Sequence, residues 1–353
     1  MPFANGIVAK NRVWLAPMTN LQSQPDGTLG DDELKWLVSR AEGGYGVIET
    51  CAAYVADDGK AWPGELGIAH ESHLPGLTRV ARELTSRGAT GLVQLFHGGI
   101  RASAELIGGT QWSASAVEDG GVRPRAATEG DILRVIGQFK DAAVLAHEAG
   151  FQGIELHGAH GYLLAQFVSR LHNQRTDAWG GALEGRARLL RETLRAVRGA
   201  VPASFIVGVR ISPEDFGQSK GIDLDENLQL AAWLAEDGAD FLHLSLWTTS
   251  RNTTKRPDQH PIPLFRAAVP ARVPLVVAGH IWTRADAELA LEKGADAVAL
   301  GRSAIANPTW PRDIVDPAWE PRRPPFKTAE LVERGLSETF ARYMARWKNF
   351  VID

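Results

Sequence analysis

Eight short apolar runs, each followed by an amphipathic stretch, recur along most of this chain. The runs cover residues 13–19, 46–52, 90–96, 153–157, 205–211, 240–246, 275–278 and 297–300. Helical patterns follow them, for example at 74–87, 131–149, 225–236 and 283–293. A strand that returns through a helix pairs in parallel with the next. Eight such units close a TIM barrel, whereas a doubly wound sheet has fewer strands and a glycine-rich loop after the first. Here the first run ends Ala16-Pro17-Met18-Thr19, without that loop. The predicted fold is an α/β TIM (β/α)8 barrel with an N-terminal β-hairpin and a C-terminal helical extension. One domain spans residues 1–353, with the barrel at about 13–315 and the extension at about 316–353.

The additions to the barrel have their own signals. Asn5-Gly6 between short apolar stretches reads as a tight hairpin over the barrel floor. Residues 98–128 form a long loop after the third strand, and residues 317–325 are a proline-rich connection. Beyond it, Leu331, Phe340, Tyr343, Met344 and Trp347 repeat at helical spacing. That predicts a terminal helix packed on the barrel or on a second subunit, which leaves a homodimer or homotetramer open. With 38 basic against 42 acidic residues and a net charge of -4, the chain is no nucleic-acid or anionic-membrane binder. No apolar run approaches the ~18 residues that span a bilayer, and no signal peptide precedes the first strand, so a soluble cytoplasmic protein is expected. The single cysteine, Cys51, excludes an intrachain disulfide or a cysteine-ligated iron–sulfur cluster.

In this fold the active site lies at the C-terminal ends of the strands. Those ends carry Pro17-Met18-Thr19, Ala52, Gln94 with His97, His157 with His160 and Tyr162, Arg210, Ala278-Gly279 and Gly301-Arg302. The set is polar but poor in carboxylates, which suits a bound heterocycle and an anion better than a hydrolytic centre. Gly279 and Gly301-Arg302 follow the seventh and eighth strands, where barrels bind phosphate; glycine admits the anion to backbone N–H groups and arginine adds charge. A helix starting just after the fourth strand would bring His157 and His160 to one side. They could then ligate a metal, with Glu49 or Asp215 as a third ligand, or donate to a substrate oxygen beside Tyr162. A regular pleat turns Glu49 to the opposite side from Thr50 and Ala52. Gln94 and Arg210, near the ends of buried strands, need partners, and a bound ligand would satisfy both. Arg186, Arg188, Arg191, Arg195 and Arg198, interleaved with Glu184 and Glu192, read as a solvated helix face. Cys51 reads as a small buried hydrophobe, while Trp62 and Trp247 could line a pocket.

The run His157-Gly158-Ala159-His160-Gly161-Tyr162-Leu163-Leu164 is followed by Asn173, Arg175-Thr176-Asp177, Gly180-Gly181, Glu184 and Arg186. It resembles the signature of the old yellow enzyme family of flavin-dependent ene-reductases. Ala16-Pro17-Met18-Thr19, Val93-Gln94-Leu95 with His97-Gly98-Gly99, Val209-Arg210-Ile211-Ser212 and Ala299-Leu300-Gly301-Arg302 match as well, in order, to about Ile314. The resemblance implies a tightly but non-covalently bound FMN across the barrel mouth. Its phosphate would lie on Gly279, Gly301 and Arg302 next to Ala278. Pro17, Met18 and Thr19 would contact the isoalloxazine, with the Thr19 hydroxyl near O4. Ala52 and Gln94 would meet the ring edge, and Arg210 the N1–C2 side where negative charge collects on reduction. NAD(P)H would reduce the flavin first, in ping-pong order. Hydride would then pass from N5 to the β-carbon of a small electrophilic alkene whose carbonyl or nitro oxygen His157 and His160 hold, while Tyr162 protonates the α-carbon. Thr19 stands where some bacterial members have cysteine, and Leu21 where they have tyrosine. The rival readings are a metal-dependent barrel hydrolase or lyase using His157 and His160, and a non-catalytic flavin-binding protein.

Overall fold

A computed structural model describes residues 1–217 and 219–352. Eight parallel strands close into a barrel in chain order. They are β1 (Val13–Leu15), β2 (Val47–Tyr54), β3 (Thr90–Phe96), β4 (Gly153–Gly158), β5 (Ile206–Ile211), β6 (Phe241–Ser245), β7 (Leu275–Ala278) and β8 (Ala297–Leu300). The ring closes where Val13 pairs with Val298 and Leu15 with Leu300. Outside lie α1 (Asp31–Glu42), α2 (Leu74–Thr85), α3 (Glu129–Glu148), α4 (Leu183–Ala200), α5 (Leu224–Glu236), α6 (Pro261–Ala268), α7 (Arg284–Glu292) and α8 (Arg302–Ala306). Several starts are fixed by side chains. Thr128 and Thr283 accept from the backbone of Asp131 and Asp286, whose carboxylates accept in return.

The first strand is shorter than expected. Ala16 still donates to Leu300 at 3.0 Å, but Pro17 has no N–H to continue the ladder. Residues 16–19 therefore leave the wall and run over the mouth. In β2 the register slips, Glu49 pairing with Leu92 but Ala52 with Gln94. This bulge places Glu49 and Ala52 both inside the barrel, overturning the expectation that they face opposite ways.

The lower half of the interior is apolar, with Trp14, Val47, Leu92, Ile206, Phe241, Val276 and Ala297 all buried. Phe3 closes it from below, its ring 6.0 Å from Trp14 and 6.3 Å from Phe241. The hairpin that delivers Phe3 is the expected one: Pro2 bridges Val8, and Gly6 takes φ +90° at the turn.

The C-terminal extension differs from the single helix its periodicity suggested. Two short helices, Thr328–Glu333 and Glu338–Tyr343, are separated where Gly335 takes φ +91°. Phe340 packs edge-on against Trp36 of α1 at 5.0 Å, so the segment lies on its own barrel. The arginines of α4 are only partly solvated. Arg191 and Arg195 pair with Asp237, but Arg186 is buried and donates to the carbonyls of Gly181 and Val168 and to Glu226. Arg186 thus belongs to the packing, contrary to expectation.

Candidate active site

The end of β4 delivers His157, buried, and the chain then turns rather than entering a helix. His160 and Gly161 take φ of +57° and +70°, and the next helical residues are Leu163–Val168. This turn, not helical spacing, brings the histidines together: their ring centroids are 4.9 Å apart and nearly perpendicular. The Tyr162 ring sits 4.9 Å from His157 and 4.5 Å from Phe96 of β3. Arg101 covers the other side of Tyr162 at 4.4 Å and donates to the His160 carbonyl at 2.5 Å.

Hydrogen bonds occupy one nitrogen of each ring and leave the other for a ligand. His157 Nδ1 accepts from the Ala159 N–H at 3.4 Å, which leaves the ring proton on Nε2. His160 Nε2 lies 2.6 Å from the Ser245 hydroxyl, whose oxygen also accepts from Arg210 at 3.1 Å. Ser245 thus occupies His160 Nε2 and leaves Nδ1 as the ring nitrogen available to a ligand. Both histidines are held well below their usual range. Burial is the main cause for each, each ring resists a proton while its neighbour is charged, and the fixed charges of Arg210 and Arg101 act on both. They are therefore neutral donors at physiological pH. Burial pushes the Tyr162 phenol up against the pull of Arg101, so it keeps its proton.

The other predicted residues gather around the same rim. Ala52 packs with Phe96, Tyr54, Trp62 and Tyr162. Trp62 lies 5.1 Å from Phe96 and so lines the mouth, whereas Trp247 is half exposed against Phe216. Gln94 donates to Glu155 at 2.7 Å. Met18 approaches Gly301, its sulfur 3.6 Å from where a Cβ would stand, so the loop after β1 adjoins the loop after β8. Ala278 ends β7 and Gly279 follows it, where a Cβ would meet that of Leu246 at 2.8 Å. Arg302 reaches His280 at 3.5 Å and lies 5.4 Å over the Trp347 ring. A cavity of about 580 Å³ lies elsewhere, on the outer wall between Asp57–Asp58 and α3.

Two features test whether these residues fit a flavin phosphate cofactor. Among the described residues Arg210 Nε is buried without a hydrogen-bond partner, so a donor at the end of β5 is left for a ligand. At Gly301 a Cβ would meet the Met18 sulfur at 3.6 Å, so glycine keeps the backbone there uncovered, next to the Arg302 guanidinium, as an anion requires. The residues fit. The histidine pair is no metal centre with the third ligands suggested: Asp215 accepts from the Ile222 N–H at 2.6 Å, and Glu49 lies deeper, near Glu155 and His243. Sequence reasoning missed Ser245, Arg101 and Phe96. Ser245 was open to detection as the last inward position of β6, in step with Phe241 and His243.

Residues 3–316 match the NADH:flavin oxidoreductase / NADH oxidase family. The chain belongs to this family. It is 36% identical over 316 residues to the probable NADH-dependent flavin oxidoreductase YqiG of Bacillus subtilis, covering 87% of this chain and 84% of the relative. An NADPH dehydrogenase of Halalkalibacterium halodurans is 34% identical over 87% of this chain and 90% of its own. Among solved structures, an old yellow enzyme homologue from Zymomonas mobilis superimposes with a TM-score of 0.82, at 26% identity, covering 97% and 98% of the two chains. The chain is an NAD(P)H-dependent flavin oxidoreductase of the old yellow enzyme family, with FMN as its cofactor and NADH or NADPH as reductant. Among the described residues no helix is long and apolar enough to cross a membrane.

Proposed function

We propose that this enzyme reduces the activated C=C bond of α,β-unsaturated carbonyl or nitro compounds. The observation that carries this reading is the cluster of His157, His160 and Tyr162: two neutral donors and one protonated phenol within ring-contact distance. A hydrolytic or metal-assisted reaction would need a carboxylate or an open ligand there; an enone oxygen needs only donors. When bound, FMN supplies the two-electron carrier between nicotinamide and alkene.

The protein's own part follows from the geometry. His157 Nε2–H and His160 Nδ1–H hold the substrate oxygen and draw electrons from the double bond. A well-placed donor of this kind lowers a barrier by ~3 kcal/mol. Tyr162 gives its proton to the α-carbon as the β-carbon takes hydride, and its raised position keeps that proton available. Trp62 and Phe96 exclude water from this end. Arg210, Gln94 and Ala52 would meet the ring edge, Pro17, Met18 and Thr19 its face, and Gly279, Gly301 and Arg302 the phosphate, with Ala278 beside it.

The test is a visible spectrum of the purified protein, followed anaerobically by NADH or NADPH and then 2-cyclohexenone. Flavin bands that bleach with the nicotinamide and return with the enone support the proposal. Bands that bleach but do not return would leave the oxidoreductase standing and remove ene-reduction.

A further inference from the structure

The layer of the interior just below the mouth holds three groups that the reaction above does not use. Glu49 of β2, Glu155 of β4 and His243 of β6 are fully buried, and one ligating atom of each lies within 4.8 Å of the others. One Glu155 oxygen is 2.7 Å from His243 Nδ1, and the other accepts from Gln94 Nε2 at 2.7 Å. Arg210, paired in register with both His157 and His243, stands in the same layer of the wall.

Each group has a definite state. Burial alone would raise Glu155, but His243 and Arg210 outweigh it and hold it below the usual carboxylate range, so it is ionised. Among the described residues neither oxygen of Glu49 has a hydrogen-bond partner; burial and the Glu155 charge push this carboxyl well up, so it is a neutral acid. Burial lowers His243 while the Glu155 charge pulls it back up, and its ring donates from Nδ1 to Glu155. The cluster is poorly arranged for a cation. Both Glu155 oxygens and His243 Nδ1 are already bonded, and a guanidinium stands beside them.

We propose that Glu155 is a positioning residue that sets the reduction potential of the bound FMN, by fixing the Gln94 amide and by opposing part of the Arg210 charge. The inference rests on FMN lying against Gln94 and Arg210, as proposed above. Glu155 can only accept, so it takes the Gln94 N–H and leaves the Gln94 carbonyl oxygen as an acceptor for the ring edge. Reduction brings negative charge beside Arg210, and a fixed anion behind that arginine resists it. His243 holds Glu155 in place, and the protonated Glu49 keeps a second anion out of the layer.

The experiment is an anaerobic redox titration of the FMN-loaded wild type, Glu155→Gln, Glu49→Gln and Arg210→Ala, with FMN affinity and metal content measured alongside. Glu155→Gln should raise the ratio of reduced to oxidised flavin at fixed poise about tenfold, ~30 mV for a two-electron couple. Glu49→Gln removes no charge and should change that ratio less than about twofold. An unchanged potential in Glu155→Gln overturns the proposal, as would an equal rise in Glu49→Gln. Stoichiometric divalent metal in the wild type, lost from either variant, would overturn it too. If Arg210→Ala changes neither FMN affinity nor potential, the placement of FMN fails instead, and the two failures are told apart. Should Glu155→Gln not fold, His243→Asn keeps an N–H toward Glu155 and should hold the potential. His243→Leu removes that N–H and should shift the ratio at least about threefold; equal potentials in both overturn the proposal.

Discussion

The same eight strands build two unlike interiors. Below, inward positions carry Trp14, Val47, Leu92, Ile206, Phe241 and Val276, sealed by Phe3. Two residues further along those strands, inward positions carry Glu49, Gln94, Glu155 and His243, with Arg210 in register with His243 and His157 in register with Arg210. The lower half is held by burial and close packing, which need no partner geometry. In the upper half a buried polar group offsets its desolvation through a particular bond, such as Gln94 to Glu155 or Arg210 to Ser245, or, like Glu49, by staying protonated. Such a layer contributes little net stability. It fixes charge and proton positions at the mouth, and the comparison predicts that changes below act on folding and changes above act on chemistry.

The largest effect expected is from Phe241→Ala. This ring contacts Trp14 at 4.9 Å and fills the space above Gly208, where a Cβ would come within 2.0 Å of it. Truncation should reduce stability by ~3–5 kcal/mol in urea denaturation. The flavin potential of the remaining folded enzyme should stay unchanged; a large shift would dissolve the distinction between the two halves.

Next is Tyr162→Phe, which keeps the contacts with Phe96 and His157 but has no proton to give. Stopped-flow reoxidation by the enone should slow by ~100-fold or more, while reduction by NAD(P)H keeps its rate. Equal slowing of both halves would remove Tyr162 as proton donor. Arg302→Ala should have a smaller effect. Among the described residues it makes a long contact to His280 and a stacking one to Trp347 and no ion pair, which leaves its charge for a phosphate. FMN affinity should fall about tenfold with folding stability nearly unchanged, measured by fluorescence titration and melting.

The barrel was legible because its signal is repeated: eight buried strands and the amphipathic stretches after them leave one closed architecture. The rim residues were legible because strand ends in this fold face one side. What escaped was local backbone geometry. The bulge between Glu49 and Ala52 breaks the two-residue period, so alternation placed Glu49 on the wrong side. Left-handed His160 made a turn where three-residue spacing suggested a helix, and Gly335 divided the terminal helix in two. Glu155 and His243 stood in plain view at inward positions of apolar strands, where a polar residue needs a partner that lies 88 residues away.

The smallest effect sharpens the comparison by pH. His160 ionises near 6.5 when unfolded, but burial and the charges of Arg210 and Arg101 hold it well below that in the fold. Below pH 6.5 the unfolded chain therefore binds a proton that the folded chain refuses, and stability falls as pH falls toward the folded value. The raised carboxyls Glu33, Glu49 and Glu65 act oppositely, since the folded chain keeps their protons above pH 4.5. The total profile mixes these signs, so the useful quantity is the difference between wild type and His160→Gln. That difference should narrow in favour of the variant by up to ~1.4 kcal/mol per pH unit below 6.5 and stay flat above it. A parallel pair of profiles in urea denaturation would mean that His160 titrates alike in both states, and the neutral donor pair at the mouth would have to be abandoned.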